Sequence, residues 1–233
     1  MRHRFRYRET AATIVCEPEY LQVAKDAIFE ARKIIESKII RDSFFRITYE
    51  PYPVLDSDDD LIRRMSAASV KSGVGPFAGV AGAVAVYAVE RMRDAGASEA
   101  IVENGGDIAF LSDREVPVGL FADHPVLKDV AFMIRAEGIT GICSSSAKIG
   151  PSVSLGNSNV CTVFSDDVIL ADCCATALGN LVTDETTLAE AVDRIAVIDG
   201  VKGCFACTGG LISMRGEVPE LVRADIDDRL IAR

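Results

Sequence analysis

A chain of 233 residues with 49% hydrophobic residues can build a substantial core, as one large domain or two small ones. Its formal net charge of −10 excludes the basic face expected of a nucleic-acid binder. No apolar run reaches the ~18 residues of a membrane-spanning helix, and seven cysteines, an odd number, are not spaced as a disulfide framework. A reducing, cytoplasmic setting without a membrane partner is the expectation.

The chain opens with Arg2, Arg4, Arg6 and Arg8 alternating with His3, Phe5 and Tyr7. This is strand periodicity with one charged face, which suits a protected sheet edge and lacks the apolar stretch of a secretory signal. Residues 4–16 read as one strand. Leu21, Ala24, Ile28, Ala31 and Ile35 recur at helical spacing, so the sequence predicts a helix from Tyr20 to about Ile40. Phe44 to Tyr49 reads as a second strand, closed by Pro51 and Pro53. Asp58, Asp59 and Asp60 suit the start of a helix continuing through Leu61 to Val70. A glycine- and alanine-rich segment, Gly73 to Ala83, runs into a helix closed by Gly96. Glu99–Glu103 and Ile108–Leu111 read as strands joined at Asn104-Gly-Gly-Asp107, a turn in which paired glycines admit positive φ. Val116–Phe121 and Val130–Arg135 read as further strands. Gly141–Asn159, rich in serine, reads as a long polar loop. An apolar strand, Asn159–Phe164, leads through a Ser165-Asp-Asp167 turn into a helix carrying Asp172. Thr187–Ile198 has helix character, Gly203–Ile212 reads as a hairpin about Thr208-Gly-Gly210, and the charged C-terminal residues are expected to fray. No low-complexity linker divides residues 1–233, so the sequence predicts a single α+β domain.

Four segments carry candidate chemistry. Asp172 and Thr176 stand four residues apart, on one helical face, and Asn180 continues the stripe. A carboxylate, a hydroxyl and a carbonyl are the hard oxygen donors that Mg²⁺ takes; an acidic residue near a helix start also has an ordinary role against the helix dipole. Gly73–Ala83 is nearly stripped of side-chain bulk, which serves either a ligand's approach to backbone N–H groups or close helix packing. It matches neither the Walker pattern nor the dinucleotide fingerprint. Asn104 and Asp107 flank two glycines and could bond a nucleotide's ribose or amide edges. Ser144, Ser145, Ser146 and Lys148, with Gly150, could hold a phosphate. Cys204 and Cys207 have C-x-x-C spacing inside a strand, where buried thiols are the expectation and zinc is not. His3 and His124 are isolated.

Taken in order over residues 73–182, these segments resemble the ApbE family, the FAD:protein FMN transferases. Ala78-Gly79-Val80-Ala81-Gly82-Ala83 stands where that family has Gly-Gly-x-Ala-Lys-Gly. Glu103-Asn104-Gly105-Gly106-Asp107 resembles its Asn-x-Gly-Gly-Asp turn, and Cys143-Ser144-Ser145 echoes its Thr-Ser-Gly element. Ala171-Asp172-Cys173-Cys174-Ala175-Thr176-Ala177 is similar to its Ala-Asp-Ala-x-Ala-Thr-Ala motif. The resemblance implies an antiparallel sheet with packed helices of the T-fold type. It implies FAD lined by Gly79, Ala81, Gly82, Asn104, Gly105, Gly106, Asp107, Ser144 and Ser145. It implies Mg²⁺ held by Asp172, Thr176 and the carbonyl of Ala81, with a flavin nucleotide as partner and a protein as FMN acceptor. Two departures stand out: Gly82 replaces the family's lysine, and no His-x-x-Asp-Pro lies between Ser144 and Ala171. The catalytic base is therefore unassigned. FMN transfer, FAD hydrolysis, a non-catalytic flavin or nucleotide binder and a structural subunit stay open, as does a homo-oligomer.

Overall fold

The computed structural model describes residues 1–120, 122, 124, 127–146 and 156–224. Phe121, Lys148, Gly150 and the charged C-terminal stretch from 225 on therefore lie outside the described residues.

Eight strands form one antiparallel sheet: β1 (Arg2–Tyr7), β2 (Thr10–Cys16), β3 (Ala100–Asn104), β4 (Asp107–Leu111), β7 (Thr140–Ser145), β8 (Val160–Ser165), β9 (Gly203–Thr208) and β10 (Leu211–Gly216), side by side in that order. Three more, β11 (Leu221–Arg223), β6 (Val130–Ile134) and β5 (Val116–Gly119), form a small antiparallel sheet. The helices are α1 (Leu21–Arg41), α2 (Phe44–Ile47), α3 (Asp60–Ser72), α4 (Val80–Asp94), α5 (Val168–Leu181) and α6 (Leu188–Ala196). α4 packs on β3 and β4, α5 on β7 and β8, and α6 on β9 and β10, while α1 and α3 pack outside them against α4 and α5. The opposite face carries a second core, where Phe132 of β6 meets Phe164 and Phe205 edge to face at 5.0 and 5.4 Å. Because both faces are covered, β8 and β9 are buried at every residue, which explains their unbroken apolar runs. Among the described residues no single helix is long and apolar enough to cross a membrane.

The α+β expectation holds, and three local readings change. Residues 4–16 are a hairpin rather than one strand, because the chain turns at Arg8, whose φ of 52° is left-handed. Phe44–Tyr49 is not a strand: its first four residues form α2, whose start is held by Phe44 N–H donating to Asp42 Oδ1 at 3.1 Å. The turn drives Phe45 into the core against Tyr52, which outweighs the β-propensity of the segment. The proposed 141–159 loop begins with β7, a central strand despite its serines. Its polar groups find partners across the sheet, as where Ser144 Oγ meets Thr162 Oγ1 at 2.8 Å.

Candidate functional site

The two-residue turn Gly105-Gly106, with φ of 71° and 107°, joins β3 to β4 and sets Asn104 opposite Asp107. Glycine meets that geometry without strain, and the space above Gly105 is open. β4 pairs with β7 so that Asp107 lies opposite Cys143, on the face covered by α5. Asp172 comes down from α5 onto the same spot, one turn inside the helix whose N-terminus Asp167 caps through Ile169 and Leu170 N–H, each at 3.1 Å.

Asp172 also reaches the first turn of α4. Gly82 N–H donates to its Oδ2 at 2.7 Å, and Ala81 N–H adds a second contact. The carboxylate of one helix thus closes the exposed N–H groups of another, a charge-assisted contact aligned with the dipole. Such proximity requires glycine. A Cβ on Gly82 would lie 2.9 Å from the Val168 carbonyl and 3.0 Å from the Cβ of Asp172. A Cβ on Gly79 would lie 2.8 Å from both Cys173 Sγ and Ile169 Cγ2. At these two positions the small-residue stripe serves helix packing against α5. Asn104 Nδ2 donates to the Ala81 carbonyl at 3.2 Å, tying the turn to α4.

Ala81, Gly82, Asn104, Asp107 and Asp172 therefore meet at one place. Gly106 belongs to the same turn and accepts from Ser144 N–H at 3.2 Å. The Ser144 hydroxyl faces Thr162, on the opposite side of the sheet from Cys143, so only its backbone joins the cluster. Ser145 is buried, on the side of the strand that Cys143 occupies. Thr176 sits half-buried one turn beyond Asp172 on α5. The sequence names Cys143 only within the echo of the Thr-Ser-Gly element and not as a site residue, yet its thiol hydrogen-bonds Asp107 and reaches the Val168 carbonyl at 3.5 Å. The signal for it is the β4–β7 register, which the serine-rich segment concealed.

Asp107 and Asp172 are 9% and 5% exposed, and each is within hydrogen-bonding reach of the other. Burial pushes the Asp172 carboxyl up to about 7, against the opposing pull of the Gly82 N–H and of Asp107. Asp107 rises well above the ordinary carboxylate range through burial and then through the charge of Asp172. The pattern is that of two carboxyls sharing one proton. A cation would relieve the same repulsion, and the donors here, two carboxylates and the Ala81 carbonyl, are the hard oxygens that suit Mg²⁺. Among the described residues no cluster of three or more histidine, cysteine, aspartate or glutamate side chains forms a metal site, so a cation here would rest on carbonyl and hydroxyl oxygens as well.

An antiparallel sheet backed by helices, with α4 and α5 meeting over an acidic pair, is the architecture of an ApbE-type fold. A model of the family described as "AbpE bacteria" matches residues 2–198, and the chain belongs to that family. It is 42% identical over 231 residues to a UPF0280 protein of Methanocella arvoryzae, covering 99% of this chain and 94% of that one. Among solved structures, the ApbE protein of Thermotoga maritima superposes with a TM-score of 0.61 at 12% identity, covering 93% and 97% of the two chains. The flavin transferase ApbE of Vibrio cholerae gives 0.60 at 12% identity over 92% and 96%. At that identity the superpositions establish the shared fold.

Proposed function

We propose that the chain binds FAD at the rim where the Asn104–Asp107 turn meets the start of α4. In this reading it cleaves or transfers at the pyrophosphate in a Mg²⁺-dependent reaction. The observation that carries the reading is the buried Asp107–Asp172 pair beside the Ala81 carbonyl, in a chain of the ApbE family. Two buried carboxyls that meet no cationic side chain among the described residues are costly unless a proton or a metal ion sits between them. Asp172, the Ala81 carbonyl and Thr176 would hold Mg²⁺, with Asp107 beside them. Bound there, Mg²⁺ supplies charge neutralisation to a pyrophosphate and Lewis acidity to its leaving phosphate. Asn104 holds the Ala81 carbonyl in place, Gly105 leaves space for a ligand over the turn, and Asp172 fixes the start of α4 against α5. The acceptor would be a protein hydroxyl, giving protein-bound FMN, or water, giving free FMN, with AMP leaving in either case.

One observation favours a second reading, a flavin binder without turnover. Gly82 occupies the position of the family's lysine in a contact that admits no side chain, and the sequence between Ser144 and Ala171 contains no histidine. Incubating the purified chain with FAD, with and without Mg²⁺, and separating the products distinguishes the two. AMP release that depends on Mg²⁺ and is lost in Asp172→Asn supports the enzyme. Yellow protein retaining intact FAD supports the binder, and the absence of both results refutes both readings and favours a structural subunit.

A further inference from the structure

The segment from the end of α1 to the start of α3 buries several polar groups beside Phe45 and Tyr52. Lys38 Nζ holds Asp58 at 2.7 Å, with both side chains almost fully buried, and lies 4.9 Å over the ring of Tyr52. The Tyr52 hydroxyl donates to Asp42, and the Tyr52 N–H donates to Ser69 Oγ of α3 at 3.1 Å. The Thr48 carbonyl backs onto Gly75, where a Cβ would come within 1.9 Å of it. Six of its apolar residues are exposed: Ile40 is 85% exposed, Tyr49 70%, Ile47 65% and Phe44 58%, with Val54 and Leu55 exposed beside them in sequence. The buried network holds the segment in this arrangement, so the fold itself presents the apolar surface.

We propose that this face is where a second copy of the chain docks, forming a two-fold dimer. Taking roughly 150–250 Å² for each of the two aromatic side chains and roughly 60–120 Å² for each of the four aliphatic ones, weighted by their exposure, the six residues expose on the order of 500 Å². That is in the upper half of the about 300–600 Å² patch of a typical monomer and more than half of the roughly 800 Å² each partner contributes to a standard interface. The charges bordering the patch are balanced: Arg41 and Arg46 against Glu50 and Asp56, all exposed. A surface that meets itself across a two-fold axis needs both signs on one patch, so that each arginine faces a partner's carboxylate. An anionic bilayer instead selects a net basic face, and the formal charge of −10 opposes it.

The test is the mass of the full chain in solution at micromolar concentration, by sedimentation equilibrium. The expected mass is twice the 25.0 kDa of the chain, falling to one chain in Phe44→Asp/Ile47→Asp. Circular dichroism checks that the variant is folded. Should it fail to fold, Tyr49→Glu repeats the test at a ring that is mostly in solvent. Ile212→Asp, on the sheet edge at β10, is expected to leave the dimer intact. A monomeric wild type overturns the proposal, as does a dimer that survives the patch variants. A monomer that co-sediments with phosphatidylcholine–phosphatidylglycerol vesicles through the patch also overturns it, because the occupant would then be a lipid surface.

Discussion

Gly82→Ala tests how closely α4 and α5 approach, because two effects of opposite sign meet there. Gly82 is the third residue of α4, where alanine gains up to about 1 kcal/mol of helix propensity over glycine. Against this, the new methyl would stand 2.9 Å from the Val168 carbonyl, 3.0 Å from Asp172 Cβ and 3.2 Å from Asp172 Oδ2. Two of those three atoms belong to the Asp172 side chain, so relief requires moving the carboxylate that accepts the Gly82 N–H, or separating the helices. Overpacking of this kind costs about 1–3 kcal/mol. The packing cost exceeds the propensity gain, leaving a net loss of about 1 kcal/mol, which in a domain of this size lowers Tm by about 2–4 °C. Urea unfolding at fixed pH, with the slope checked against wild type, measures it. Gly82→Lys, which installs the residue the ApbE family has at this place, carries the same Cβ, three more carbons and an ammonium, and is expected to lose more. Stabilisation of Gly82→Ala by the full propensity gain would refute the reasoning, since it would mean that the helices leave room for a side chain.

Lys38→Met leaves Asp58 buried without its cation and is expected to cost about 3–5 kcal/mol in the same urea assay, whereas Lys38→Met with Asp58→Leu recovers most of the loss; equal losses would contradict this. The carboxyl of Asp172 rises from an ordinary value near 3.8 to about 7 on folding, so the stabilisation it contributes is complete below about 4 and is lost as pH rises through about 7. In the presence of a chelator, the wild type is therefore expected to lose urea resistance between pH 5 and pH 8 more steeply than Asp172→Asn, and parallel profiles would count against the buried carboxyl. Burial pushes the thiols of Cys161, Cys174 and Cys204 up to about 12 and raises those of Cys143 and Cys173 well above the usual range. A disulfide reagent at pH 8 should consequently react slowly with the folded chain and with all seven cysteines in denaturant, and a rapid single-thiol reaction of the folded chain would be inconsistent with it.

The elements that could be read from the sequence are those whose local pattern agrees with their packing. α1 shows this directly: Ala24, Ile28, Ala31 and Ile35, from the spacing that predicts the helix, are among the residues it buries. Asp59 starts α3 by accepting from Leu61 N–H at 3.0 Å, as the acidic run suggests. The elements that could not be read are those decided by distant partners. Nothing in Arg8 announces a left-handed residue where glycine or asparagine would be the usual signal. The aromatic run from Phe44 to Tyr49 resembles a strand, and becomes a helical turn because Asp42 caps it and Phe45 must reach the core. β7 is polar in sequence, yet α5 presses on Gly141, where a Cβ would be 2.7 Å from Val168 Cα.

The site divides along the same line. The Asn-Gly-Gly-Asp turn and the Asp172 helix each carry a local signature, and each could be read by itself. Their meeting depends on the β4–β7 register and on the approach of α5 to α4, neither of which has a local signature. The contact between Asp107 and Asp172 is the main consequence. Read separately, one residue lines a ligand and the other holds a metal; together they form a buried acid pair whose charge must be balanced. The second role of Asp172 follows from the same geometry. By accepting the Gly82 N–H it stabilises the start of α4, and α4 in turn presents the Ala81 carbonyl beside the carboxylates. A cation drawn to Asp172 would compete with that N–H for one carboxylate oxygen and leave the other free. The α4 helix start is therefore the part of the fold expected to respond first when the acid pair is loaded. Amide exchange at Gly82 and Ala81, protected in the unloaded chain by Asp172, is where that response is to be measured: exchange that accelerates on adding Mg²⁺ supports the competition, and exchange that does not change places the cation elsewhere.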